Sequence, residues 1–169
     1  REAVRLGERA KFERTVPQLQ NAGLDTYIEY WRLLLNMIQN DSEQNRAFLA
    51  RYENEYLAEK FRNDWLRVLG RKGQWADFDT EYANIVLPEQ DVKCYAMQSR
   101  LIKRDFSALD EAMPLWQNLM EPPEACAAVL ETLASAKRFS ADEVWERVRR
   151  QYAANKTARA RQTMAWLPQ

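Results

Sequence analysis

Apolar side chains recur along this chain at the three- and four-residue spacing of helices, and nowhere with the alternation of a strand. The clearest stripe is Leu57, Phe61, Trp65 and Leu69, within residues 48–78. Side chains four apart stand above one another on one helix face, so this stripe predicts a helix of about three to four turns. Gly70 and Gly73 are predicted to end it in left-handed conformations, with Trp75 opening the next helix by packing back. Such a helical hairpin cannot cover its own apolar face, so neighbouring hairpins of the same kind are expected.

The flanking segments supply them. Residues 2–16, with Val4, Phe12 and Val16 among charges, read as an amphipathic helix weakened by Gly7 and closed by Pro17. In residues 24–39 the stripe Tyr27, Trp31, Leu34, Leu35 and Ile38 is thickened by Ile28, Leu33 and Met37, predicting a helix sandwiched between neighbours. Asn40, Asp41 and Ser42 form a turn, with Ser42 as N-cap of a short helix through Phe48, Leu49 and Tyr52. Phe78, Tyr82 and Ile85 extend a helix that Pro88 stops. Residues 90–103 carry Cys94, Met97 and Leu101 on one face. Residues 107–120 carry Leu109, Ala112, Met113, Trp116, Leu119 and Met120, with a kink at Pro114. Pro122 and Pro123 suit a turn and a first helical position ahead of Cys126, Val129, Leu130 and Leu133. Ser140 and Glu143 have capping-box spacing before the stripe Val144, Trp145, Val148 and Tyr152, and a last helix runs through Met164, Trp166 and Leu167.

About ten helices with short connections make the chain all-α, either a bundle or a solenoid of irregular hairpins. The solenoid is favoured because stripes recur in consecutive hairpins and both ends read as cut within an array. No fixed period is visible: Trp65-Leu66 followed by Gly70 puts the glycine two positions too late for the tetratricopeptide pattern.

Composition narrows the chemistry. The 169 residues hold 25 basic and 25 acidic side chains, so no global field draws in nucleic acid or an anionic membrane. No apolar run approaches the roughly 20 residues that span a bilayer. The chain opens on Arg1 without an initiator Met or signal peptide, which reads as a processed or excised piece. Histidine is absent, which excludes Ser-His-Asp and Cys-His nucleophile systems, HExxH sites and Cys/His zinc sites. Two cysteines leave either free thiols or one disulfide.

Cys94 and Cys126 begin helices separated by one other. In a solenoid their sulfurs meet if the registers agree; otherwise both are buried thiols. Glu53/Glu55, Asp77/Asp79 and Glu143/Glu146 have the look of acid/base pairs, but solvated helix faces and caps explain them better. The cluster Arg147, Arg149, Arg150, Lys156, Arg159 and Arg161 reads as a solvated rim or a surface for an anionic polymer. Trp65, Trp75, Trp116 and Trp145 have the flat faces that stack on sugars, while their helical spacing favours core packing.

The order of residues adds a resemblance. Tyr27-Ile28-Glu29-Tyr30-Trp31, Phe48-Leu49-Ala50-Arg51-Tyr52, Trp65-Leu66 ahead of Gly73-Gln74-Trp75, Cys94-Tyr95, and Ala112 through Leu115-Trp116 before Cys126 together resemble the helical N-terminal region of bacterial soluble lytic murein transglycosylases. The resemblance implies one right-handed α-superhelix of irregular hairpins over 1–169, part of a longer chain whose separate lysozyme-like domain cleaves the MurNAc-GlcNAc bond to 1,6-anhydro-muropeptides. It also implies a periplasmic or outer-membrane-associated location, no metal or cofactor, and a disulfide between Cys94 and Cys126, while helical spacing gives packing roles to Trp31, Trp65, Trp75 and Trp116. Its partners would be that catalytic domain and peptidoglycan glycan strands, with no nucleic acid. The family's Glu-Ser and Gly-Leu-Met-Gln segments do not occur here, so no catalytic residue is assigned and a scaffold role is expected. The rival expectation is a tetratricopeptide-like module that binds a partner protein in its groove.

Overall fold

The computed structural model describes residues 2–37 and 41–167, so Ile38, Gln39, Asn40 and the ends of the chain lie outside the described residues. Among the described residues there are eleven α-helices, one short 3₁₀ helix and no strand. The fold is all-α. The chain divides into two compact units, Arg1–Glu89 and Gln90–Gln169. No described helix is long and apolar enough to cross a membrane.

The first unit comprises α1 (Glu2–Arg5), α2 (Arg9–Gln20), α3 (Asp25–Asn36), α4 (Ser42–Arg51), α5 (Tyr56–Lys72) and α6 (Trp75–Tyr82). Its organising element is α5, which packs against α3, α4 and α6. The stripe Leu57, Phe61, Trp65 and Leu69 is buried throughout, and Ala58 and Leu66 widen it. Burying each large member contributes about 1.5–3 kcal/mol before entropy is counted. Phe61 meets Phe48 of α4 at 4.8 Å and Tyr30 of α3 at 6.0 Å. Polar ties fix the register. Tyr30 donates to Asp64 at 2.6 Å, and burial with that carboxylate pushes the Tyr30 hydroxyl well up. Arg46 of α4 reaches Glu81 and Asp77 of α6 at 2.8 and 3.2 Å, and Arg51 and Tyr52 both reach Glu29. A smaller cluster joins α2 to α3 through Phe12, Val16 and Ile28, with Trp31 set edge-on to Phe12 at 6.2 Å.

Several local expectations are corrected here. Pro17 does not close its helix: α2 runs on to Gln20, because Leu19 packs on the Phe12 cluster one turn later. The N-cap of α4 is Asp41, one residue before Ser42, and its carboxylate accepts the Glu43 N–H at 3.3 Å. Gly70 is buried inside α5; only Gly73 takes the left-handed conformation, at φ 68°. Helix α6 stops at Tyr82, well before Pro88. The Glu59 carboxylate accepts the Val86 and Leu87 N–H groups at 2.9 and 2.6 Å, and Asn63 holds the Leu87 carbonyl and Glu89 N–H. These bonds supply the backbone partners that a longer helix would have given.

The second unit comprises α7 (Gln90–Ile102), α8 (Ala108–Asn118), a 3₁₀ turn (Glu124–Cys126), α9 (Ala127–Ser135), α10 (Ala141–Ala153) and α11 (Thr157–Met164). Its core gathers Cys94, Met97, Leu109, Ala112, Trp116, Cys126, Val129, Leu133 and Val144. Pro123 stands before the 3₁₀ turn in an extended conformation, outside the helix it was expected to begin. Ser140 and Glu143 form the reciprocal capping box that opens α10. The buried face of α10 differs from the expected one. Val144 and Val148 are buried with Arg147 and Gln151, while Trp145 and Tyr152 face solvent at 43% and 42% exposure.

Six helix ends share one device. At Gly7, Gly23, Gly73, Arg104, Lys137 and Asn155 the chain turns left-handed, and paired backbone bonds close the last helical turn, as in Gly73 N–H to Gly70 and Gln74 N–H to Leu69. This is the Schellman arrangement, which satisfies carbonyls that a helix end leaves free. Glycine serves it in the first unit; in the second, Asn155 tolerates the conformation through its short polar side chain, while Arg104 and Lys137 hold it at a cost of about 1–2 kcal/mol. Gly73→Ala is therefore expected to destabilise by about 1–2 kcal/mol, and Lys137→Gly to stabilise by up to about 1 kcal/mol. Urea titration checks both, and a neutral Gly73→Ala contradicts the assignment. A methyl at Gly73 would meet the Trp75 indole nitrogen only at 3.6 Å, so conformation and not collision sets that cost.

Candidate functional site

Cys94, the fifth residue of α7, and Cys126, the last of the 3₁₀ turn, are brought together at 4.9 Å between Cα atoms, with their sulfurs at bonding distance. Both are buried in the core that contains Trp116. Of the other tryptophans singled out from the sequence, Trp145 is exposed on α10 of the second unit and three sit in the first unit, where Trp65 is buried on α5 under the Arg46 guanidinium, at 5.7 Å from the ring centre. Trp31 and Trp75 are partly buried, against Phe12 and Phe78. None of these three shares a cluster with the cysteines.

The polar group that sequence periodicity passed over is Arg147. Expected on a solvated rim, it is 3% exposed. Its Nη2 donates to the Leu119 carbonyl at 2.6 Å and its Nη1 to the Trp116 carbonyl. Both carbonyls lie at the C-terminal end of α8, where the helix has no donors of its own and carries its negative pole. The guanidinium also lies 5.1 Å from the Trp116 ring centre. Trp116 is stacked on Phe139 at 4.3 Å, Trp166 lies beside both rings at 5.6 Å from Phe139 and 6.2 Å from Trp116, and the Trp116 indole N–H is buried without an acceptor. Burial pushes the Arg147 guanidinium down to about 10, and the neighbouring Arg150 charge acts in the same direction. No carboxylate among the described residues forms an ion pair with it.

Arg147 borders an open-sided cavity of about 380 Å³ lined by the 120–131 segment, α10 and α11. Gln151 and Thr163 lie on its buried side, where the Thr163 hydroxyl donates to Gln151 Oε1 at 2.8 Å. Arg159 and Gln162 follow one another along α11 at the same wall, joined at 3.2 Å. Pro122, Leu130 and Trp166 supply apolar surface, and the exposed Glu124 and Glu131 also line it. The remainder of the basic cluster behaves as a rim, with Lys156 paired to Glu121 at 2.9 Å and Arg150 near Glu146 at 3.9 Å.

The carboxylates weighed as acid/base pairs are engaged differently. Asp77 binds Arg46, Glu143 caps α10, and Glu53 and Glu55 are exposed. Glu13, Asp105, Glu121 and Glu143 are all held below the ordinary carboxylate range, the first three chiefly by hydrogen bonds to Arg32, Ser107 and Lys156 and the last by Ser140. They are anions at neutral pH. Among the described residues no group of three or more His, Cys, Asp or Glu side chains is placed to hold a metal ion. No protein-family model matches the chain, and no curated protein matches it.

Proposed function

We propose that this chain is a helical scaffold segment of a bacterial peptidoglycan lytic transglycosylase, non-catalytic by itself, which positions the catalytic domain and guides glycan strands. In this reading its hairpins form part of a right-handed superhelix in the periplasm. The supporting observation is the Cys94–Cys126 pair within an all-α chain. Disulfides persist in oxidising compartments such as the periplasm, and this one coincides with the position implied by the ordered aromatic, glycine and cysteine resemblance.

Two measurements test the reading. The gene read past the codon for Gln169 is expected to encode further helical hairpins and then Glu-Ser with Gly-Leu-Met-Gln; a frame that ends without them favours a partner-binding module. The purified chain incubated with sacculi is expected to release no 1,6-anhydro-muropeptides, and their appearance would overturn the scaffold role.

A further inference from the structure

We propose that the cavity beside Arg147 is a binding site for a small organic monocarboxylate carried on an aromatic or branched apolar body. The proposal rests on the cavity alone and is independent of the scaffold reading.

Charge comes first. A guanidinium has five N–H donors, and those of Arg147 given to the α8 carbonyls account for two. A helix end carries only about half an elementary charge, so the carbonyls offset part of this cation and leave the rest uncompensated. Buried cations are ordinarily paired, whereas Arg147 lines the cavity with carbonyls and no carboxylate as its partners. Gln151 on the same wall meets Thr163 through its oxygen, which leaves its amide N–H groups as further donors for a ligand. Arg159 adds a second cation, hydrogen-bonded to the neutral Gln162 amide and within coulombic reach of Glu121. Donors therefore outnumber acceptors along the wall formed by Arg147, Gln151 and Arg159, which is what a carboxylate requires.

Shape and the acidic part of the lining restrict the choice. A volume of about 380 Å³ lies at the small end of ligand sites, and Trp166 gives it a flat apolar wall. The exposed Glu124 and Glu131 repel a second negative charge, which disfavours phosphate monoesters relative to a monoanion.

The test uses the whole oxidised chain and calorimetric titration with three probes of one shape: phenylacetate, its neutral amide phenylacetamide, and the dianionic phenyl phosphate. Phenylacetate is expected to bind with a millimolar or lower dissociation constant, at least about ten-fold more tightly than phenylacetamide and more tightly than phenyl phosphate. Arg159→Gln, on the exposed side of α11, is expected to weaken phenylacetate about three-fold or more while leaving the thermal transition unchanged. Arg147→Lys is expected to weaken it further, and its melting curve reports whether the α8 end has survived. The proposal is overturned if the amide binds as well as the acid, if the phosphate binds more tightly, if no saturable binding occurs, or if Arg159→Gln is without effect.

Discussion

Replacing both Cys94 and Cys126 by alanine is expected to lower the stability of the second unit by about 3–4 kcal/mol, the value chain-entropy arguments give for a loop of this length. The linked residues are 32 apart in sequence, so in the unfolded chain the link removes the freedom of everything from the second turn of α7 through α8 to the 3₁₀ turn. The native side of the balance changes less, because alanine keeps both positions apolar among Ala112, Val129 and Leu133, at the cost of the lost sulfur packing. Small domains have net stabilities of about 5–15 kcal/mol, so a loss of this size is a large fraction of the total. Amide hydrogen exchange separates the units: protection in α7, α8 and α9 is expected to fall by a factor of several hundred, with α5 unchanged. Reduction of the unaltered chain should reproduce the effect. A loss below about 1 kcal/mol in both experiments would show that the link constrains little.

What sequence pattern made legible was local. The α5 stripe and the Ser140–Glu143 box depend on residues within a few turns of one another, and both are present in the structure. What it missed was decided from a distance. On α10, Val144 and Val148 leave two possible flanks for a buried face. Hydrophobicity selects Trp145 and Tyr152, whereas the orphan carbonyls at the end of α8, some thirty residues earlier, select Arg147. The same reason governs the candidate site, since a guanidinium in a run of arginines carries no mark of burial until the helix that it caps is placed. Helix ends show a second limit. Gly73 announces its left-handed turn, but Arg104, Lys137 and Asn155 take that conformation with side chains that give little warning of it. Gly70 and Pro17 err the other way, as residues that ordinarily stop helices but are carried through by buried neighbours.

Truncating Trp116 to alanine is expected to cost about 3–5 kcal/mol, as for other large aromatic side chains removed from a core. At 1% exposure it is among the largest fully buried side chains, and it joins what would otherwise be separate contacts. One ring face meets Phe139, the Arg147 guanidinium lies over the ring, and its own carbonyl receives Arg147. Alanine keeps that carbonyl but leaves a void between Phe139 and the cysteine-linked core, and it strips the aromatic neighbour from a buried cation. Trp116→Phe separates these effects. It keeps an aromatic face for Phe139 and Arg147 and removes an indole N–H that has no acceptor, so its cost should be about 1–2 kcal/mol, the smaller volume loss being partly offset. Trp145→Ala, at a site 43% exposed on the opposite flank of α10, is expected to change stability by less than about 0.5 kcal/mol. Urea unfolding of the three variants with a common slope tests the ordering. If Trp145→Ala costs as much as Trp116→Ala, the buried face of α10 has been assigned the wrong way round, and Arg147 loses both its place at the end of α8 and its place on the cavity wall.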